Sequence, residues 1–278
     1  MIYILQIFRK VVIQLLPVLL MTGVCFSQFD SRQKFVYYNK GEDQAIKGNF
    51  EEAKIQFEKT LELDPYNNSA KLNLKIIKDA TDKKIKKGTA IHIIRGLSGC
   101  EWGVYDLGIH EFSKAIANNR NYAYAYIFRG EAYHQYEEKH DRAISDFNKA
   151  IDLEPDNALA FAYRANAYYT KCYQECQYKQ PDYVYKVYRA DKGEPYYTKP
   201  KYYNKCQCDQ AISDYKKAIE IEPQNPKFYY DIALVYAESG RKEEAIEAYR
   251  SFIKYASNIP EYAYDIKETE QKIAELQK

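Results

Sequence analysis

One alternation of apolar and polar positions is written three times along the chain: EEAKIQFEKTLELDPYN at 51–67, DRAISDFNKAIDLEPDN at 141–157 and DQAISDYKKAIEIEPQN at 209–225. Small and aromatic residues recur in it at offsets of four and three, as in Ala143, Phe147 and Ala150 or in Ala211, Tyr215 and Ala218. Those offsets are helical, so the three side chains share one face, where the alanines admit a close neighbour and the ring fills the remaining space. Pro155 and Pro223 stop each helix, because proline lacks the amide hydrogen and biases the residue before it toward extended backbone. Weaker copies, DLGIHEFSKAIANNRN at 106–121 and EEAIEAYRSFIKYASN at 243–258, lengthen the series.

A companion helix is predicted before each copy, in YAYIFRGEAYHQY at 124–136, LAFAYRANAYY at 159–169 and KFYYDIALVYAESG at 227–240. Gly130, Ala165 and Ala233 take its small central position, and Tyr126, Phe161 and Tyr229 the bulky one four residues earlier. Two helices meeting on a small-residue seam cannot bury their apolar faces alone, so successive pairs must stack into an all-α array.

This order of an aromatic, a small residue, Tyr, Ala, Phe, Ala and Pro resembles the tetratricopeptide repeat, over most of residues 34–258. The resemblance implies an all-α solenoid of antiparallel helix pairs, with units at 34–67, 89–122, 123–157, 158–225 and 226–258. Unit 89–122 departs from the pattern, with Gly108 for alanine, Arg120 for the closing proline and glycines at 96, 99 and 103, which weakens the expectation for its first helix. The chain then divides into a signal peptide (1–27), a first repeat (28–67) and an irregular lysine-rich helical linker (68–88). The repeat array (89–258) follows, with a non-repeat insertion at about 172–208 in its fourth unit, and a capping helix (259–278) closes the chain. In the cap, Tyr262, Ile266, Ile273 and Leu276 recur at helical spacing among charges.

The resemblance also implies where a partner sits. First helices of successive repeats line a concave groove that holds a peptide or partner helix. Carried onto this sequence, the groove takes Tyr124, Ile127, Glu131 and His134, then Leu159, Ala162, Asn166 and Tyr169, then Lys227, Tyr230 and Leu234. Family members that bind chaperones clamp a C-terminal carboxylate with basic residues and asparagines; only Asn166 and Lys227 correspond here, which argues against that use.

The N-terminus is a separate element. Arg9 and Lys10 precede the uncharged run VVIQLLPVLLMTGVCF at 11–26, followed by Ser27 and Gln28, and this order reads as a secretory signal peptide cleaved after Ser27. The run is shorter than the roughly 20 residues of a membrane helix and Pro17 interrupts it, so no span is expected in the mature chain. Lipidation at Cys25 and an uncleaved anchor are the alternatives, the first disfavoured by bulky Val24. The expected address is the periplasm, the outer envelope or the exterior.

Export changes how the cysteines read. Cys172, Cys176, Cys206 and Cys208 bracket the insertion, and in an oxidising compartment such pairs staple the base of a loop. Cys172 with Cys208 and Cys176 with Cys206 would nest, although other connectivities stay open. A four-thiolate zinc site is the rival, with one residue between Cys206 and Cys208 against the usual wider knuckle. Cys100 is left over and reads as a small buried apolar residue.

The insertion itself, QYKQPDYVYKVYRADKGEPYYTKPKYYN at 177–204, combines strand-like alternation with turn residues, predicting a stapled hairpin or irregular finger. Tyr185, Tyr188, Tyr196, Tyr197, Tyr202 and Tyr203 beside Lys186, Arg189, Lys199 and Lys201 are candidates for gripping an acidic protein, a glycan or other envelope polymer, or a nucleic acid strand; the alternative is rings packed on their own scaffold. The chain carries 30 tyrosines, but the repeat itself asks for several rings per unit. A net charge of +2 over 278 residues does not announce a nucleic-acid partner. Lysines crowd 71–88, with Lys71, Lys75 and Lys78 on about one helical face, either solvated or a dock for an acidic partner or anionic lipid. His92, His110, His134 and His140 form no HExxH, and neither a phosphate loop nor a nucleophile elbow occurs, so neither catalysis nor a cofactor is expected. The sequence thus predicts an exported binding scaffold.

Overall fold

The computed structural model describes residues 26–136, 139–178, 185–188, 195–198 and 208–278, with the side chains of 26–32, 175–178 and the two strand segments left aside. Arg9, Lys10 and Cys25 of the expected signal peptide lie outside the described residues. The chain forms two compact units, divided after Arg120. Among the described residues no helix is long and apolar enough to cross a membrane.

In the first unit α1 (Phe26–Lys47) pairs with α2 (Phe50–Leu63), and α4 (Lys87–Glu101) with α5 (Tyr105–Asn118). Gly48 and Gly103 reverse the chain inside these hairpins at positive φ, a conformation open to glycine at no steric cost. Between the hairpins, α3 (Asn68–Thr81) touches α1, α2 and α4. It is a regular helix that buries Ala70, Ile76 and Ile77. The helix expected to be weakest, α4, is complete. Its glycines are contact points: a Cβ on Gly96 would lie 2.5 Å from the Phe112 ring, and one on Gly99 3.3 Å from Leu107. Gly108 on α5 lies directly under the Cys100 sulfur, which leaves no room for the alanine of the family pattern.

The second unit contains α6 (Ala123–Gln135), α7 (His140–Leu153), α8 (Ala158–Tyr178), α9 (Asp209–Ile221), α10 (Pro226–Glu238), α11 (Lys242–Ala256) and α12 (Ala263–Leu276). Helices pair as α6 with α7, α8 with α9 and α10 with α11, while α8 also touches both α6 and α10. A 3-10 turn, Pro260–Tyr262, leads into α12, whose Ile273 and Leu276 pack on the core. Phe147, Tyr215, Tyr249 and Phe252 are buried, each aromatic side chain of this size contributing about 2–3 kcal/mol by leaving water.

The asparagine that ends each repeated phrase starts the next helix. Asn67 Oδ1 accepts from the Ala70 amide at 2.8 Å and Asn157 Oδ1 from the Ala160 amide at 3.3 Å, caps worth about 1 kcal/mol each. Asn157 and Asn225 also donate back to Glu154 and Glu222, the residues before the prolines. The Pro-x-Asn triplet therefore ends one helix and fixes the entry of the next.

The insertion interrupts the α8–α9 pair. Helix α8 runs on past Cys172 to Tyr178, and Cys172 packs against the core of this unit. Strands β1 (Tyr185–Tyr188) and β2 (Pro195–Thr198) pair antiparallel, with Tyr185 opposite Thr198 and Lys186 opposite Tyr197. The hairpin expected from the alternating pattern is present, and Cys172 is bonded to Cys208 with Cα atoms 5.8 Å apart. That bond takes two of the four thiolates a zinc site would need, so the four-thiolate reading of these cysteines is corrected. No group of three metal-ligating side chains occurs among the described residues. The Cys176 side chain and Cys206 lie outside the described residues.

Candidate partner-binding surface

A basic residue stands just before the small seam residue of several first helices, and a carboxylate just before the ring of the following helix. Arg129 donates through Nε and Nη2 to the two oxygens of Asp146, each at 2.7 Å. Arg164 does the same with Asp214, also at 2.7 Å, and adds a bond to Asn148 Oδ1 at 2.6 Å. In the first unit Glu111, 3% exposed, accepts from His92 at 2.8 Å and Lys114 at 2.9 Å, with Arg95 at 3.5 Å. Burial alone would raise the Glu111 pKa, but these hydrogen bonds and charges hold it below the usual range.

These forks set the rotation of the first helices. A residue two positions on points about 200° away around the axis, so fixing Arg129 and Arg164 toward their partners turns Glu131 and Asn166 to the other side. Replacing Arg164 by Met should lower unfolding stability by about 2 kcal/mol, because the buried Asp214 loses a charged fork. Adding Asp214→Leu should recover most of the loss. Chemical denaturation of the two variants measures both effects, and an additive second loss would show that the fork does not act as a unit.

On the other side of α6, α8 and α10 the groups are less committed. Glu131 Oε1 accepts from Gln135 at 3.1 Å, while its Oε2 is buried and has no hydrogen-bond partner. Asp231 has Lys227 Nζ at 3.3 Å. Burial raises the pKa of both carboxyls, and the Lys227 charge pulls each partway back. The Tyr163 phenol feels burial first, then the charges of Glu131 and Asp231, all opposing its ionisation. Tyr169 is pushed up to about 12 by burial and by Glu238. The Tyr230 hydroxyl accepts from Lys272 Nζ at 2.7 Å, and its ring stands edge-on to Tyr249 and Phe252. His134 and His140 approach through their Nδ1 atoms at 3.0 Å, and burial with the second ring pushes His134 down to about 4, leaving it neutral near pH 7.

Most residues expected on this surface are half-buried or exposed: Tyr124, Glu131, His134, Leu159, Asn166, Tyr169, Lys227 and Tyr230. Ile127 and Ala162 are not: at 0% and 7% exposure they are buried in the core. Sequence reading passed over Tyr163, whose ring stacks on Phe147 at 5.9 Å, and Asp231. Of the insertion tyrosines, Tyr185, Tyr188, Tyr196 and Tyr197 lie on the paired strands, whereas Tyr202 and Tyr203 lie outside the described residues. The lysine-rich segment has internal work: Lys75 and Lys84 reach the buried Asp79 at 2.8 and 3.2 Å, and Lys71 lies over the Tyr66 ring.

Tetratricopeptide repeat models match residues 36–67, 123–157 and 226–259, and a further model of the same repeat matches 201–240. Residues 36–67, 123–157 and 201–259 carry tetratricopeptide repeats. The crystal structure of TTC0263, a thermophilic tetratricopeptide protein of Thermus thermophilus, aligns at 15% identity with a TM-score of 0.50, covering 85% of this chain and 98% of that one. That likeness supports the all-α tetratricopeptide fold. A MamA crystal structure aligns at 20% identity and TM-score 0.47, over 80% of this chain and 97% of that one. The first tetratricopeptide domain of Spaghetti (RPAP3), bound to an HSP90 peptide, aligns at 18% and 0.40, over 54% and 92%. No curated protein matches this tetratricopeptide chain.

Proposed function

We propose that this protein is an exported, non-enzymatic scaffold that holds a protein or peptide on the face shared by α6, α8 and α10. One observation carries the reading. The polar groups on the side of Arg129 and Arg164 are consumed in internal forks, whereas the opposite side keeps a carboxylate oxygen at Glu131 with no internal partner. A helix-repeat surface with uncommitted polar groups among half-buried rings suits an extended segment, which brings its own backbone donors and acceptors. Export to an oxidising compartment is supported by the Cys172–Cys208 bond, since such bonds persist there and are rare in the cytosol.

Affinity capture from envelope extract tests the reading, with Tyr169→Ala as the helix-face variant and a fourfold alanine variant at Tyr196, Tyr197, Tyr202 and Tyr203 for the insertion. Loss of the captured partner from the Tyr169 variant is the expected result. Loss from the insertion variant alone, with glycan retained by the wild type, would transfer function to the insertion. Identical partners from both variants and the wild type would remove the helix-face reading.

A further inference from the structure

An open cleft of about 620 Å³ lies in the first unit, between the end of α3, the start of α4 and the end of α5. Lys83, Lys84, Lys86 and Lys87 line it with Asn118 and Asn119, and no carboxylate is among its lining residues. Two of the four ammonium groups are engaged elsewhere. Lys84 reaches the buried Asp79 at 3.2 Å, and Lys87 lies over the Phe50 ring, 5.4 Å from its centroid. Lys83 and Lys86 have no ion pair among the described residues.

The backbone braces these side chains, against local preference. The Lys83 and Lys84 amides donate to the Ala80 and Asp79 carbonyls at 3.2 and 2.9 Å, the turn that closes α3. The Ile85 amide donates to Asp79 at 3.2 Å, and its side chain is buried between the lysines that flank it in sequence. Lys83 holds φ at 59°, the only non-glycine at positive φ among the described residues, at the place where helix ends favour glycine. Lys86 and Lys87 open α4, the end of a helix that disfavours positive charge, and its first turn has no acidic residue. Three lysines thus stand where local stability would choose another residue. Packing does not require them, since all four are exposed. What they share is the cleft.

We infer that this cleft is a binding site for a small polyanion carrying two or more phosphate groups. A recess lined by one sign of charge concentrates counter-ions of the other. Ammonium groups are compact point charges that suit phosphate, whereas planar carboxylates favour the arginine fork, and no arginine lines the cleft. Its volume falls within the range of about 300–1,000 Å³ usual for small-molecule sites and exceeds a single phosphate, so it can hold several anionic groups at once. Asn118 adds a neutral donor, its Nδ2 lying 3.7 Å from the place of a Cβ on Gly88 in the first turn of α4. The site uses residues of the first unit alone, so it stands whether or not the face of α6, α8 and α10 binds peptide.

Isothermal titration calorimetry on the full chain tests it with inorganic tripolyphosphate, orthophosphate and hexaglutamate. Tripolyphosphate is expected to bind about tenfold more tightly than either of the others. Lys83→Gly is the informative variant, because glycine relieves the turn: thermal unfolding should find it at least as stable as the wild type, while tripolyphosphate binding weakens about fivefold. Adding Lys86→Gln should bring the loss to about twentyfold. Lys149→Gln with Lys216→Gln, two exposed lysines of the second unit, removes as much charge and should leave binding unchanged. An equal loss in that control, or none in the Lys83 and Lys86 variants, would overturn the site and leave only diffuse surface charge. Orthophosphate bound as tightly as tripolyphosphate would overturn the polyanion, and hexaglutamate bound as tightly would assign the lysines to an acidic peptide. Flotation with zwitterionic vesicles containing phosphatidylinositol bisphosphate separates the sources. Vesicle binding that tripolyphosphate displaces would support a lipid headgroup in the cleft, and tripolyphosphate binding without vesicle binding a free polyphosphate. Vesicle binding that tripolyphosphate cannot displace would overturn the site.

Discussion

Phe147→Ala should cost about 4 kcal/mol of stability, among the larger effects open to a single substitution in this chain. Phe147 is fully buried on α7, its ring lying where a Cβ on Gly130 would be, 2.7 Å away, and stacking on Tyr163 of the next helix. Removing it empties the seam inside one helix pair and the contact to the next pair together. The pairing with Gly130 sharpens the expectation, because the sign of a second substitution should depend on the first. In the wild type Gly130→Ala should destabilise, the clash with the ring outweighing the roughly 1 kcal/mol that alanine gains over glycine in a helix. In the Phe147→Ala background the same change should stabilise, as the new methyl enters vacated space. Thermal and denaturant unfolding of the four proteins would reveal it, and a Gly130→Ala effect of unchanged sign would mean that ring and glycine are not complementary parts of one contact.

Breaking Cys172–Cys208 is the second large effect. The bond closes a sequence separation of 36 residues, and loss of that constraint on the unfolded chain should lower stability by about 4 kcal/mol. It also joins α8 to the residue that precedes α9, with Cys208 in the core and Cys172 packed against it. The Cys172→Ser, Cys208→Ser double variant should melt with the reduced wild type and be indifferent to reductant. A variant as stable as the oxidised protein would show that the bond constrains nothing that matters for folding.

The repeat was legible because its signal is periodic and its residue types have one physical use. Ala143, Phe147 and Ala150 sit together on a helix whatever surrounds them, and all three are buried. Gly96, Gly99 and Gly108 were harder to read. As sequence they look like erosion of a pattern; as structure they mark where the Phe112 ring, the Leu107 side chain and the Cys100 sulfur press on the neighbouring helix. A one-dimensional pattern records that a residue is small without recording what lies above it.

Other features were present in the sequence but need the second helix to acquire meaning. Arg129 before Gly130 and Asp146 before Phe147 recur as Arg164 before Ala165 and Asp214 before Tyr215, a signal that a scan of apolar positions does not weigh. Ile127 failed in the opposite direction. Its place in the family pattern assigns it to the groove, but a branched apolar side chain between closely packed helices gains more from the interior than from a ligand. Tyr163 falls outside the family pattern because what distinguishes it, the Phe147 ring it stacks on, lies on another helix.

Because the Cα atoms of Cys172 and Cys208 lie only 5.8 Å apart, exchanging the β1–β2 pair carried between them should leave the pairing of α8 with α9 intact. A graft placed there inherits a covalent hinge pin and a rigid mount, which makes this latch the natural port for displaying foreign loops on the array.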